Sequence, residues 1–313
     1  MRFFSQVPNF DFMGKRRIAM IASTIAVIVS LVSLGVRGLE FGVDFTGGVI
    51  MEVAYADSVD LAKVREALEA GGFGTVRAQH YGSTHNVLIR AMPSEQKDEA
   101  RQAQDMLAAL KVQDPSVELR RVEFVGPQVG SDLRVQGTLA MVFALIGILI
   151  YVAVRFKWKF SVGAVAATIH DVIIVVGFFS LLGLEFDLTV LAAVLAIIGY
   201  ALNDTVVIFD RIRENFRKVR KTAPEEIMNL SINQTLSRSI MTHLVTLIVV
   251  LAMFFVGGEV IHNFSIALIV GIVVATYASI YIASALTLWL KVTPADVVEA
   301  AETKERRQID ALP

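Results

Sequence analysis

Apolar runs of about twenty residues recur along this chain, parted by short charged stretches. That pattern predicts helices that cross a membrane. The runs lie at 18–36, 134–154, 160–182, 188–209, 240–256 and 264–290. Between the first two, residues 37–133 change character to short periodic segments rich in charge. Strands are expected at 48–55, 75–80, 87–91 and 117–125, and helices at 58–70 and 94–110. In the first of these helices Val59, Ala62, Val64, Ala67 and Leu68 are expected to face inward. The order βαββαβ suggests a ferredoxin-like unit. The fold class is therefore an α-helical membrane protein of six transmembrane helices, with one α+β ferredoxin-like domain inserted between helices 1 and 2.

The tract 167–216 organises the rest, because it pairs two long apolar helices about the polar turn 183–187 and places an acid inside each, Asp171 and Asp204. An ionised carboxylate in hydrocarbon costs several kcal/mol, so such acids face a bundle interior, a partner or a water path. Asp204 follows Tyr200 and Asn203 and sits roughly 9 Å from the polar end of its run at Asp210. It reads either as a proton-handling group or as a carboxylate hydrogen-bonded to its neighbours. His170 and Asp171 lie deeper. Neighbours on a helix point about 100° apart, so a relay and a pair of separate helix–helix bonds are equally good readings.

Arg238 stands at the mouth of the fifth run, on a stripe Gln234, Arg238, Thr242, Thr246 that enters the membrane. Its charge is permanent and favours either a carboxylate partner or lipid phosphate. The sixth run carries Ala267, Gly271, Ala275, Ser279, Ala283 and Thr287 at four-residue spacing, and the third carries Gly163 and Ala167 before Asp171. Small residues in such rows let helix backbones approach closely.

Composition agrees with a membrane protein: 55% of the 313 residues are hydrophobic and the mean hydropathy is +0.60. The net charge of -1 points to no polyanionic partner such as nucleic acid. The chain has no cysteine, which excludes disulfides, thiolate zinc sites and cysteine nucleophiles. The distribution of charge sets the orientation. Segments 1–17, 155–159, 210–239 and 291–313 together hold 18 Lys and Arg, whereas the turns 183–187 and 258–263 hold none. By the positive-inside rule both ends are cytoplasmic, with 1–17 a retained leader that lacks a cleavable signal, 37–133 a periplasmic domain and 291–313 a cytoplasmic tail. No phosphate loop, metal-spaced cluster or nucleophile–base pair is present in the sequence, so no cofactor, metal site or enzymatic activity is expected.

Five stretches together carry a resemblance: FGVDFTGG at 41–48, VGPQVGSDL at 125–133, ATIHDV at 167–172, IIGYALNDTVVIFDRIREN at 197–215 and TLSRSIMTH at 235–243. In this order they closely resemble the SecF family, the smaller membrane subunits of the bacterial SecD–SecF complexes within the resistance-nodulation-division superfamily. The resemblance implies a protein of the inner membrane that assists preprotein translocation and draws on the proton-motive force. It implies SecD as a separate chain, the SecYEG channel, SecA indirectly and YajC as partners. It also implies that Asp204 and Arg238 carry proton coupling, with Asp171 a weaker candidate; from their similar depth near the cytoplasmic side, Asp204 and Arg238 are expected to form a separable charge pair. Half of a small-molecule exporter of the same superfamily and a non-transporting scaffold are the competing readings.

Overall fold

The computed structural model describes residues 7–293 apart from 75, 94–98 and 220–221. The expected helix start at 94–95, the basic residues 220–221, most of the tail and the first residues of the leader lie outside the described residues.

The chain opens with α1 (Arg16–Val36), followed by a two-residue strand β1 (Glu40–Phe41) and a single helical turn α2 (Val43–Thr46). The inserted unit comprises β2 (Gly48–Ala54), α3 (Leu61–Ala70), β3 (Val76–Tyr81), β4 (Ser83–Ala91), α4 (Glu99–Gln113) and β5 (Glu118–Val125). Its four strands form one antiparallel sheet in the order β3-β4-β2-β5. Asp60 caps α3 by accepting from the Ala62 amide, so the helix begins three residues later than its pattern suggested. Ala62 is consequently exposed, while Val64 and Leu68 join Met51, Val53, Ile89, Met106 and Leu110 in the core beneath the sheet. Strand β4 begins at Ser83, four residues earlier than expected, because the turn at Gly82, with φ +70°, is tight enough for pairing to resume at once.

The membrane part follows as α5 (Pro127–Arg155), α6 (Trp158–Leu182), β6 (Glu185–Phe186), α7 (Leu188–Lys218), α8 (Pro224–Val256), α9 (His262–Ala278) and α10 (Ser284–Trp289). Among the described residues, six helical stretches are long and apolar enough to cross a membrane. Several extend beyond their apolar runs. Pro127 starts α5 well before residue 134, at the first helical position where its missing N–H costs nothing. Pro224 starts α8, which makes the amphipathic segment and the fifth apolar run one continuous helix. Helices α6, α7 and α9 are the most buried, whereas α1, α5 and α8 turn residues such as Ile25, Phe143 and Val249 outward, as an apolar solvent requires.

Between α9 and α10, residues Ser279–Ala283 form a π-helical turn. Ala267, Gly271, Ala275, Ser279, Ala283 and Thr287 are all buried along this helix. A Cβ on Gly271 would come within 2.2 Å of Ile197 on α7, and one on Gly163 within 2.5 Å of Thr287. The small-residue rows therefore let α6, α7 and α9 pack against each other within this chain.

The leader segment is fastened to α8. The Phe10 amide donates to Asn233 Oδ1 at 2.9 Å, Asn233 Nδ2 returns to the Phe10 carbonyl at 2.8 Å, and the Met13 amide donates to Asn229 Oδ1 at 2.8 Å. Met13 itself is fully buried.

Candidate functional site

Asp204 lies on the inner face of α7 and is buried, 6% exposed. Tyr200 stands one turn earlier on the same face. Opposite, α8 presents Ser239 and His243, also one turn apart and buried. Two such i, i+4 pairs on neighbouring helices face each other. Ser239 Oγ donates to Asp204 Oδ1 at 2.5 Å. The other oxygen, Oδ2, is buried and has no hydrogen-bond partner among the described residues. His243 lies close enough to Asp204 to interact with it electrostatically. Its ring is 5.2 Å from that of Tyr200, and its Nδ1 is 2.6 Å from Thr276 Oγ1 on α9. The Thr276 hydroxyl donates to the Ile272 carbonyl at 2.7 Å, so it accepts from Nδ1–H, and Nε2 is the free basic nitrogen of the neutral ring.

Arg238 points elsewhere. Its side chain is exposed on the outer side of α8, and it forms no ion pair with Asp204. Adjacent residues on a helix diverge by about 100°, so Ser239 facing α7 forces Arg238 away from it. Electrostatic reach to Asp204 remains, weaker than that of His243. Of the stripe Gln234, Arg238, Thr242 and Thr246, Gln234 accepts from Asn215 and Thr246 from Tyr200 on α7, while Arg238 and Thr242 are exposed; the buried row is Thr235, Ser239 and His243. Ser239 and His243 were missed by sequence reasoning. Their signal was a histidine and a serine four apart inside an apolar helix.

The second acid belongs to another polar cluster. Asp171, 2% exposed, accepts from the ring of its own neighbour: His170 Nδ1 is 3.1 Å from Asp171 Oδ1. The imidazole thus folds back onto the carboxyl and brings both into one site despite their angular separation. His170 Nε2 reaches Ser23 Oγ on α1 at 3.1 Å. Ser23 donates to Tyr277 Oη at 3.3 Å, and Tyr277 donates to the Ala19 carbonyl at 2.5 Å. With the Ser23 proton committed to Tyr277, Ser23 accepts from Nε2–H.

The π turn lies beside residues of both clusters. Ser279 Oγ is 2.8 Å from Thr205 Oγ1, next to Asp204, and Tyr277 lies two residues before it. Such turns widen a helix and recur at functional sites. Among the described residues there is no group of His, Asp and Glu arranged to hold a metal.

Comparison with known proteins yields two family matches. The model described as "Protein export membrane protein SecD/SecF, C-terminal" matches residues 105–293, and the "SecD/SecF GG Motif" matches residues 32–59. The chain is 45% identical over 306 residues to "Protein translocase subunit SecF" of Vibrio alginolyticus, covering 97% of both. It is 39% identical over 298 residues to the protein of the same name from Escherichia coli O157:H7, covering 95% of this chain and 92% of the relative. The crystal structure of SecDF, a translocon-associated membrane protein from Thermus, superposes with a TM-score of 0.82 at 38% identity, covering 92% of this chain. The chain spans 40% of the length of that solved chain.

Proposed function

Since the chain belongs to the SecD/SecF family of protein export membrane proteins, we propose that it is the SecF-type subunit of an accessory complex that draws on the proton-motive force to complete preprotein translocation. The observation that carries this reading is Asp204: a buried carboxyl with one oxygen held by Ser239 and the other unpartnered, between two helices of a membrane bundle. An acid so placed has two forms, ionised and hydrogen-bonded or neutral and desolvated, and a membrane potential biases the choice between them. About 2.3 kcal/mol per charge per 100 mV is available. Arg238, exposed in this state, is one rotation of α8 from Asp204 and serves as the counter-charge of a second state. SecD supplies the opposing half, and SecYEG, SecA and YajC are the further partners. The strand order supports a ferredoxin-like domain, which we place in the periplasm of an inner-membrane protein with both ends cytoplasmic.

The test is preprotein translocation in proteoliposomes with and without an imposed proton gradient. Asp204→Asn and Arg238→Met abolish the gradient-dependent part and leave binding to SecD intact, while Asp204→Glu keeps a fraction. An undiminished response in Asp204→Asn refutes the reading. Orientation is checked separately: an impermeant thiol reagent labels Thr84→Cys but not Thr222→Cys in intact spheroplasts.

A further inference from the structure

The sheet domain meets the membrane bundle through a square of four charges. Arg77 on β3 and Arg90 on β4 are register partners in one ladder. Glu40 on β1 and Glu185 on β6 are register partners in another, the short parallel ribbon that ties the chain after α1 to the turn before α7. Each arginine takes the glutamate facing it: Arg77 Nη2 lies 2.5 Å from Glu40 Oε2, and Arg90 Nη1 lies 2.7 Å from Glu185 Oε2. The first pair is exposed, with 47% and 52% of the side chains accessible, and the second is largely buried, at 15% and 9%. A buried pair is costly to break singly, whereas an exposed one is worth little. The Arg90–Glu185 member therefore governs.

The acidic side of the square is continuous with the start of α7. Glu185 precedes Asp187, which caps α7 by accepting from the Val190 amide at 2.8 Å. Asp44, in the turn α2, accepts from the Leu188 amide at 3.1 Å, and Phe45 stacks on Phe186 at 6.2 Å. The Glu185 carbonyl also accepts from Asn263 Nδ2 near the start of α9. Asp204 lies about 24 Å down the same rigid helix from Leu188. On the basic side, the sheet joins the bundle at a close backbone crossing. Gly47 and Gly48 have φ of +76° and +135°, and a Cβ on Gly47 would come within 2.8 Å of the Pro127 backbone at the start of α5. Beside the square opens a cavity of about 570 Å³, lined by Glu40, Thr46, Arg77, Arg90, Gln102 and Glu185 among others. There is thus a pivot, a latch, and room beside the latch for the sheet to tilt.

We propose that Arg90 and Glu185 are positioning residues that latch the sheet domain to the start of α7, with Arg77 and Glu40 an exposed pair beside the latch, and that opening this latch is the movement by which the domain and Asp204 communicate. The proposal rests on the assignment of proton coupling to Asp204. Domain tilt pulls on β6 and on the cap of α7, and the helix carries the displacement to the contact between Asp204 and Ser239.

The absence of native cysteines makes the test direct. Glu40→Cys with Arg77→Cys, in the full complex, removes only the exposed pair and leaves Arg90–Glu185 in place. In spheroplasts, a short bismaleimide should join these cysteines at least threefold more slowly when the membrane is energised than after an uncoupler is added. The difference should vanish when Asp204→Asn is added. In proteoliposomes the cross-linked complex should lose the gradient-dependent part of translocation, while the uncross-linked double variant keeps it. A cross-linking rate that does not fall on energisation, or a cross-linked complex with full stimulation, overturns the latch. If Asp204→Asn itself retains full stimulation, it is the proton-coupling reading that fails. Charge exchange provides a second variant: Arg90→Glu with Glu185→Arg should recover at least half of the stimulation that Arg90→Glu alone loses, and no recovery counts against a pairwise latch.

Discussion

Ser239 on α8 donates its hydroxyl proton to Oδ1 of Asp204 on α7 at 2.5 Å, the single side-chain hydrogen bond that the carboxyl receives among the described residues. A hydrogen bond to a charged group contributes about 1.5–3 kcal/mol. Ser239→Ala leaves both oxygens without a donor and so tilts the balance between the ionised and neutral forms. Its gradient-dependent translocation should fall by roughly tenfold or more by the same measure, and Ser239→Thr should restore most of it. Equal rates for the parent and Ser239→Ala would make the bond incidental.

The His170–Asp171 dyad pins α1 to α6 and α9 through Ser23 and Tyr277. Removing one partner of a buried pair strands the other, at a cost of about 3–5 kcal/mol. His170→Ala and Asp171→Asn should each lower the melting temperature of the purified complex strongly. The double variant should lose less than the sum, by about 1–3 kcal/mol. Additive losses would show that the two side chains act separately.

Gly271 has no room for a side chain beside Ile197. Overpacking of this kind costs about 1–3 kcal/mol. Gly271→Leu should therefore destabilise the chain even without a partner, whereas Val273→Leu, at an exposed position on the same helix, should be near neutral. Thermal unfolding in detergent decides between them.

Glu185 provides a pH signature. Burial is the largest influence on it and pushes its pKa above the ordinary carboxylate value, while Arg90 pulls it back. Folding thus favours the protonated form. The contribution to stability is complete below the unfolded-chain value of about 4.3 and is lost as pH rises through the folded-state value. Between pH 4 and 7 the parent should lose more stability than Glu185→Gln, which cannot ionise. Parallel melting curves across that range would contradict the assignment.

The sequence made the helices legible because twenty apolar residues in a row have few alternatives. It also exposed Asp171 and Asp204, since an acid within such a run is conspicuous. Which side of α8 faces α7 was another matter. Arg238 attracts attention by its charge, but the inward face is set by the packing of Thr235, Ser239 and His243, and a serine carries little weight in a hydropathy pattern. The ends of α5 and α8 were hidden because a helix can continue through polar residues once tertiary contacts support it.

The charge square also bears on how the sheet domain behaves when cut out. Within the whole chain, Arg77 and Arg90 sit side by side only because two glutamates from outside the sheet neutralise them. Like charges directly opposite on neighbouring strands repel. A recombinant fragment that begins at Gly48 and ends at Val125 leaves Glu40 and Glu185 behind. Its paired arginines would lose those two carboxylates, and its sheet would be held together less firmly at the β3–β4 edge. Binding measured on such a fragment would be salt-sensitive and biased toward acidic ligands, a property of the excision and not of the protein.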